Sequence, residues 1–178
     1  DVESRGLGDV YKRQLSKSLS VTVYQDGKIY QQEYARGKYL YDLRVIGETD
    51  RTGTTIRFLP DVISDDNPDG IFERGVTFDF DVLKKRLREM AFLNKGISLN
   101  LYDKRPDEEG KTREDHFYSE EGLKEFVKYL DATRGTPIVE QIIYLDTEKN
   151  GVPVEVAMQY NDSFSENVHS YVNNINTI

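Results

Sequence analysis

Alternating hydrophobic and polar residues mark the first regular element of the chain. The aliphatic residues Leu19, Val21 and Val23 are separated by single hydroxyl-bearing residues, which is the period of a β-strand with two different faces. Asp26 and Gly27 follow closely. Asp-Gly between two such runs favours a type I′ hairpin turn, because both turn residues need a positive φ. The pattern therefore predicts a β-hairpin near the start of the chain.

A second alternating run precedes Pro60. Thr54, Ile56 and Phe58 occupy one face of this run, so the pattern predicts a half-buried strand, which Pro60 ends because proline cannot donate to a ladder. Similar runs predict further strands near residues 29–34, 43–46, 97–102, 142–145 and 152–160. The last two are predicted to form a hairpin around Lys149-Asn150-Gly151.

Two stretches have helical spacing. Apolar residues recur every three or four positions over residues 80–91, directly after Asp79, whose side chain suits an N-cap. A shorter helix with an apolar face over residues 123–130 is predicted after Ser119, which we expect to cap it. Strands, helices and then a second set of strands indicate an α+β fold, with a mostly antiparallel sheet that carries helices on one face.

Composition and charge exclude several classes of function. The net charge of −8 makes the chain a poor grip for DNA by itself. The chain has no cysteine, and its two histidines are isolated, so no metal site is predicted. No apolar run is long enough for a membrane helix and no export signal is present, so we expect a cytoplasmic protein without a membrane partner. Acidic residues concentrate at residues 61–73 and 103–115, which are predicted to be solvated loops.

Two segments stand apart from these patterns. Residues 1–14 carry no clear period and few apolar residues, and we expect them to be a leader that is not native to the rest of the chain. Residues 131–137 mix Asp, Thr, Gly and Pro between a helix and a new strand run, which predicts a linker.

Five blocks of the sequence carry a resemblance to a known family: DGKIYQQEYARG, TGTTIRFLPD, FDFDVLKKRLREMAFLNKGISLNLYD, EEGLKEFVKYL and VEVAMQYNDSFSENVHSYVNNINT. They resemble successive blocks of the DNA gyrase B family, the ATPase subunits of bacterial type II DNA topoisomerases, from about residue 15 to residue 178. The topoisomerase IV ATPase subunit shares them and is one alternative; a catalytically inactive binding module on the same fold is another.

The resemblance implies an architecture of two incomplete domains. Residues 15–134 would be the C-terminal half of a GHKL-type ATPase domain, an α/β sandwich. Residues 135–178 would be the N-terminal part of the transducer domain, which has a ribosomal-S5-like α+β fold. The linker predicted over residues 131–137 falls at the boundary that the family implies.

The resemblance also implies which residues face the nucleotide. Thr54 corresponds to the threonine that reaches the adenine end of the ATP pocket, Ile56 would form an apolar wall, and Gly53 would allow close backbone approach. Each also has a purely structural interpretation, as a strand residue, a core residue and a bend. Gln25 stands where many family members carry an arginine at the pocket rim, so a charged contact is absent there.

The implied activity is an ATP-driven change of DNA topology. It requires ATP and Mg²⁺, a homodimer of ATPase domains, DNA and the breakage-reunion subunit, gyrase A. In the family, the general base, the Mg²⁺ ligand and most phosphate-binding glycines would precede residue 1, and the lysine at the γ-phosphate would follow Ile178. Gly6 and Gly8 are not assigned a phosphate role, because the sequence after them does not match. We therefore predict no catalytic residue and no metal ligand in this chain, and expect it alone neither to bind nor to hydrolyse ATP.

Overall fold

The computed structural model describes residues 14–132, 134–163 and 165–178. The predicted leader, residues 1–14, lies outside these ranges except for Gln14. The described part is a mixed α/β fold with antiparallel sheets and few helices, which confirms the predicted fold class. Its strands are β1 (Ser16–Gln25), β2 (Lys28–Ala35), β3 (Lys38–Tyr39), β4 (Arg44–Glu48), β5 (Gly53–Pro60), β6 (Leu99–Asp103), β7 (Arg113–Phe117), β8 (Ile143–Lys149), β9 (Val152–Met158), β10 (Tyr171–Val172) and β11 (Ile175–Asn176), and its helices are α1 (Phe80–Leu93) and α2 (Leu123–Asp131).

The chain divides into two compact units, Asp1–Thr77 and Phe78–Ile178. The domain boundary implied near residue 134 lies within the second of these units, and stays a prediction about the family's domains. Among the described residues, no helix is both long and apolar enough to cross a membrane.

The strands of the first unit that the structure describes form one antiparallel sheet. Its strand order is β3-β2-β1-β5, and β4 pairs with the part of β2 that β3 leaves open. Among the described strands, β1 therefore has a partner along both edges, whereas β5 lies at the edge of the sheet. The predicted pairing of β1 with β2 is confirmed.

Tight turns join neighbouring strands of this sheet. Asp26 and Gly27 have φ values of 52° and 75°, so the predicted type I′ turn between β1 and β2 is confirmed. Arg36 and Gly37 form a second turn of this kind, with φ values of 47° and 83°. This turn and the two-residue strand after it were not predicted, because arginine rarely adopts a positive φ.

A buried carboxylate ties the end of β5 to the end of β2. Asp61 is only 1% exposed, and its Oδ2 atom lies 2.9 Å from Nε of Arg36. Asn67 donates from Nδ2 to Oδ1 of Asp61 at 2.8 Å and to the Val62 carbonyl at 2.8 Å. Asn67 is buried too, so the prediction that residues 61–73 form a solvated loop is wrong at these two positions.

The second acidic run, residues 103–115, also contains regular structure that the sequence did not predict. Its last residues form β7, which pairs with β6. Asp103 is buried, and its carboxylate accepts hydrogen bonds from Arg105 and Arg113 at 2.7 to 2.8 Å. Hydrogen bonds from Arg105 hold the pKa of Asp103 well below its usual value. Lys84 of α1 pairs with Asp115 at 2.6 Å, so these charges are paired rather than only solvated.

The two helices agree with their predicted apolar faces. Asp79 caps α1, since its Oδ1 accepts from the Val82 N–H at 2.9 Å. The N-cap of α2 is Gly122, not Ser119 as expected. The buried Ser119 hydroxyl instead accepts from the Gly122 N–H at 2.9 Å and donates to Glu125 at 2.7 Å.

The remaining strands form two separate hairpins. β8 pairs with β9 through a turn at Asn150 and Gly151, as predicted, and both residues have a positive φ. β10 pairs with β11 through Asn173 and Asn174, which also have positive φ values. The second hairpin was not predicted, because strands of two residues leave no alternation to detect.

The buried Asp61 carboxylate generates a prediction about stability. We expect Asp61→Asn to lower the free energy of unfolding by about 2 to 3 kcal/mol, because Arg36 loses its charged partner. This is less than a fully buried pair would lose, because the Arg36 side chain is 46% exposed. Urea unfolding followed by circular dichroism measures the change.

The control is Asp65→Asn, which breaks an ion pair to Arg74 at a carboxylate that is 90% exposed and should cost less than about 1 kcal/mol. Burial raises the pKa of Asp61, but hydrogen bonds from Asn67 and Arg36 outweigh it, so the folded pKa is lowered. The contribution is therefore complete above about pH 4 and is lost as pH falls through the folded pKa. Equal acid sensitivity of Asp61→Asn and wild type would contradict this role.

Candidate functional site

The three predicted nucleotide-facing residues lie together on β5. The register pairs Thr54 with Val23 and Ile56 with Val21. Directly paired residues of an antiparallel sheet point to the same face, so Thr54 and Ile56 share one face with these two valines. The result is an apolar surface that carries a hydroxyl group near one end.

The β1 valines extend the site in a way that the sequence did not reveal. On their other side, Val23 pairs with Tyr30 and Val21 with Gln32 of β2, so the same face continues across three strands. The alternation of β1 was visible in the sequence, but the β1–β5 register that sets these residues beside Thr54 was not.

Gly53 occupies a backbone conformation that requires glycine. Its φ is 142°, in a region that L side chains rarely adopt. A Cβ atom added there would meet nothing within 4 Å, so backbone strain rather than lack of space excludes other residues. The open space is compatible with close approach of another group to this part of the backbone.

The strand is more exposed than expected. Every residue of β5 from position 53 to position 59 is exposed, and Ile56 retains 59% of its surface. The prediction of a half-buried strand is therefore wrong for this chain. A small-molecule site usually buries most of its ligand, so β5 supplies one wall of a site rather than an enclosed pocket.

Gln25 lies at the same end of the sheet. It is the last residue of β1, directly after Tyr24, which pairs with Gly53. Gln25 is exposed, and its side chain is an uncharged amide. The structure thus brings Gln25, Gly53 and Thr54 to one end of the β1–β5 pair.

This surface combines one hydroxyl group with apolar side chains. The Thr54 hydroxyl can both donate and accept a hydrogen bond, and the aliphatic neighbours offer contact area for a planar ring. Within residues 14–132, 134–163 and 165–178, no group of three or more His, Cys, Asp or Glu side chains is placed to hold a metal ion. The described part of the site can orient a ligand but has no acid–base pair of its own.

Comparisons with known proteins identify the family that this chain resembles. The DNA gyrase B family model matches residues 122–178. The B subunit of DNA gyrase from Cytophaga hutchinsonii is 48% identical over 174 residues, which cover 97% of this chain and 34% of that protein. The corresponding protein from Bacillus mycoides is 44% identical over 172 residues, covering 97% of this chain and 40% of that protein. The chain thus spans between a third and two fifths of these relatives.

A solved structure agrees in fold. The 43K ATPase domain of Thermus thermophilus gyrase B, crystallised with an aminocoumarin, superposes with a TM-score of 0.74 at 29% identity, covering 93% of this chain and 42% of that domain. The chain therefore has the fold of part of the ATPase domain of a gyrase B protein. It belongs to the DNA gyrase B family. The gyrase name of these matches does not favour the topoisomerase IV alternative.

The conformation of Gly53 can be tested by substitution. We expect Gly53→Ala to reduce the free energy of unfolding by roughly 1 to 3 kcal/mol, because alanine is strained at this φ. The matched control is Gly47→Ala in β4, where an added Cβ would make only an ordinary 3.5 Å contact with Ile29. Chemical denaturation compares the two variants, and equal stability of both would show that the Gly53 backbone relaxes without cost.

Proposed function

We propose that this chain serves as the adenine-side segment and the first part of the transducer in a gyrase B-type ATPase, which changes DNA topology at the expense of ATP. The observation that carries the proposal is the 48% identity to a gyrase B protein over 97% of the chain. The site geometry supports it, because β5 combines a hydroxyl group, an apolar face and an open glycine at one end of a sheet.

Within this proposal each residue of β5 has a separate role. The Thr54 hydroxyl hydrogen-bonds the polar edge of adenine, directly or through water, since a hydroxyl can serve both a donor and an acceptor. Ile56 contacts the flat face of the ring, and Gly53 lets the ligand approach the backbone. Gln25 forms part of the rim without supplying a charge.

The cofactors and partners follow from the family. We propose ATP with Mg²⁺ as the cofactor, a homodimer of ATPase domains as the active form, and DNA with the breakage-reunion subunit, gyrase A, as the partners, all in the cytoplasm. We assign Gly53, Thr54 and Ile56 to the adenine side of the site only, without a contact to Mg²⁺ or DNA. The domain assignment, residues 15–134 to the ATPase domain and residues 135–178 to the transducer, is part of the same proposal.

We further propose that the chain by itself does not bind ATP at micromolar concentrations. The face that carries Thr54 is open to solvent, with Ile56 59% exposed, so a bound adenine would be covered on one side only. Tight small-molecule sites enclose their ligand on several sides.

A segment exchange tests the function. The segment of the Cytophaga hutchinsonii gyrase B protein that aligns with residues 15–178 is replaced by residues 15–178 of this chain. The exchanged protein is then combined with its breakage-reunion partner and relaxed plasmid. We expect ATP-dependent supercoiling, with the unexchanged protein as the control. An exchanged protein that is folded by circular dichroism but hydrolyses no ATP would overturn the proposal, and preferential decatenation would instead favour a topoisomerase IV subunit.

The role of Thr54 is tested in the same exchanged protein. We expect Thr54→Ala to weaken ATP binding by roughly fivefold, the effect of about 1 kcal/mol for one hydrogen bond, and Thr54→Ser to retain most of the affinity. Thr55→Ala is the matched control, because adjacent strand residues point to opposite faces. Calorimetric titration with a non-hydrolysable ATP analogue measures the affinities, and equal losses for the Thr54→Ala and Thr55→Ala variants would argue against the assignment.

A further inference from the structure

Two side chains hold the turn of the β10–β11 hairpin. One belongs to a residue within α1, and the other belongs to the C-cap residue of α1. Arg86 donates from Nη2 to the carbonyl oxygen of Asn174 at 2.5 Å. Asn174 in turn donates from Nδ2 to Oδ1 of Asn94 at 3.1 Å. These bonds join residues 88 and 80 positions apart in the sequence. We call Arg86, Asn94 and Asn174 the turn latch.

Both members of the turn latch on the α1 side are fixed in place by their own helix. Arg86 pairs with Glu89, one turn further along, at 3.2 Å. Asn94 is the C-cap residue of α1, and its Nδ2 donates to the Met90 carbonyl at 2.7 Å. The side chains that meet Asn174 therefore lose little further conformational freedom when the hairpin docks.

Aromatic rings support the hairpin next to the latch. The Tyr171 ring lies 6.1 Å from that of Phe126 and is stacked with His169 at 6.4 Å. Phe126 of α2 stacks in turn on Phe92 of α1 at 5.1 Å. The rings connect the base of the hairpin with both helices.

Among the described residues, an open cavity lies beneath the hairpin. A cavity of about 780 Å³ is bordered by the hairpin, by α2 and by β9, and its walls include Phe126, Leu130, Val154 and Asn174. Apolar packing stabilises an element only where its atoms have partners. Polar contacts at the turn therefore contribute a larger share to the position of this hairpin than they would over a filled core.

We propose that the turn latch is a positioning device that couples the β10–β11 hairpin to α1. While the latch is closed, the hairpin and α1 move as one body. When the latch is released, the hairpin opens over the cavity. The coupling has a functional meaning that rests on the proposed function, in which α1 belongs to the ATPase domain and the hairpin to the transducer. Asn174 and Arg86 would then carry movement from the nucleotide-binding domain to the segment that comes after the linker.

Amide hydrogen exchange of the 178-residue chain tests the latch. Asn174→Ala removes the side-chain bond to Asn94, and Asn173→Ala is its control. Both asparagines have a positive φ, 65° and 49°, so alanine is strained similarly at both, but Asn173 makes no side-chain hydrogen bond to another described residue. We expect the Thr177 amide, which donates to the Ser170 carbonyl at 2.8 Å, to exchange roughly fivefold faster in Asn174→Ala than in Asn173→Ala.

A second pair of variants keeps the test independent of asparagine chemistry. Arg86→Ala should accelerate the same amide, whereas Lys85→Ala, at the neighbouring exposed position, should not. The effects of Arg86→Ala and Asn174→Ala should not add, because both bonds hold one turn. Exchange in the β8–β9 hairpin serves as the internal reference.

The outcomes separate a latch from general stabilisation. Faster exchange confined to the β10–β11 hairpin supports the latch. Equal exchange in Asn174→Ala and Asn173→Ala, or equal acceleration in the β8–β9 hairpin, overturns it. Because the measurement requires neither ATP nor DNA, a failed latch and a failed topoisomerase assignment give different results.

Discussion

Backbone pairing between antiparallel strands is the constraint on which the rest of this structure depends, because the described residues bury few apolar side chains. Ladders and two-residue turns with positive φ therefore carry a large share of the order. The position of Thr54 illustrates this, since it follows from the register with β1 and from no enclosing core. Among the described residues, the buried apolar ones are Leu19, Phe80, Ala91, Phe117 and Phe126.

The sequence predicted those elements whose cause is local. Asp26-Gly27 and Asn150-Gly151 specify their turns by their own conformational preferences, and the flanking strands follow from the turns. Asp79 specifies the start of α1, because an N-cap needs only a hydrogen bond three residues ahead. The family resemblance then identified β5 as the candidate ligand-facing strand, and the register agrees with a shared face for Thr54 and Ile56.

The sequence failed where the cause lies far along the chain. Asp61 is buried because Arg36, 25 positions earlier, supplies its charge partner, and no local pattern distinguishes it from the solvated carboxylates around it. The sequence did not predict β7 for a similar reason. Arg113 and Asp115 have the pattern of charges in a solvated loop, and only the structure shows that they pair with Asp103 and Lys84. The exposure of β5 was missed because alternation predicts two faces but not whether either is covered.

The edge position of β5 has a consequence for the behaviour of the chain in solution. Edge strands are usually protected by several charges, by proline or by a bulge that bends them away. β5 has eight residues, of which Arg57 is the single charged one. Pro60 and the register shift between Ser16 and Ser18 of β1 come only at its end. Such a strand offers its backbone to a strand of another molecule, and its apolar side chains favour that pairing. Protein concentration, and not temperature alone, should therefore govern how long the folded chain resists aggregation.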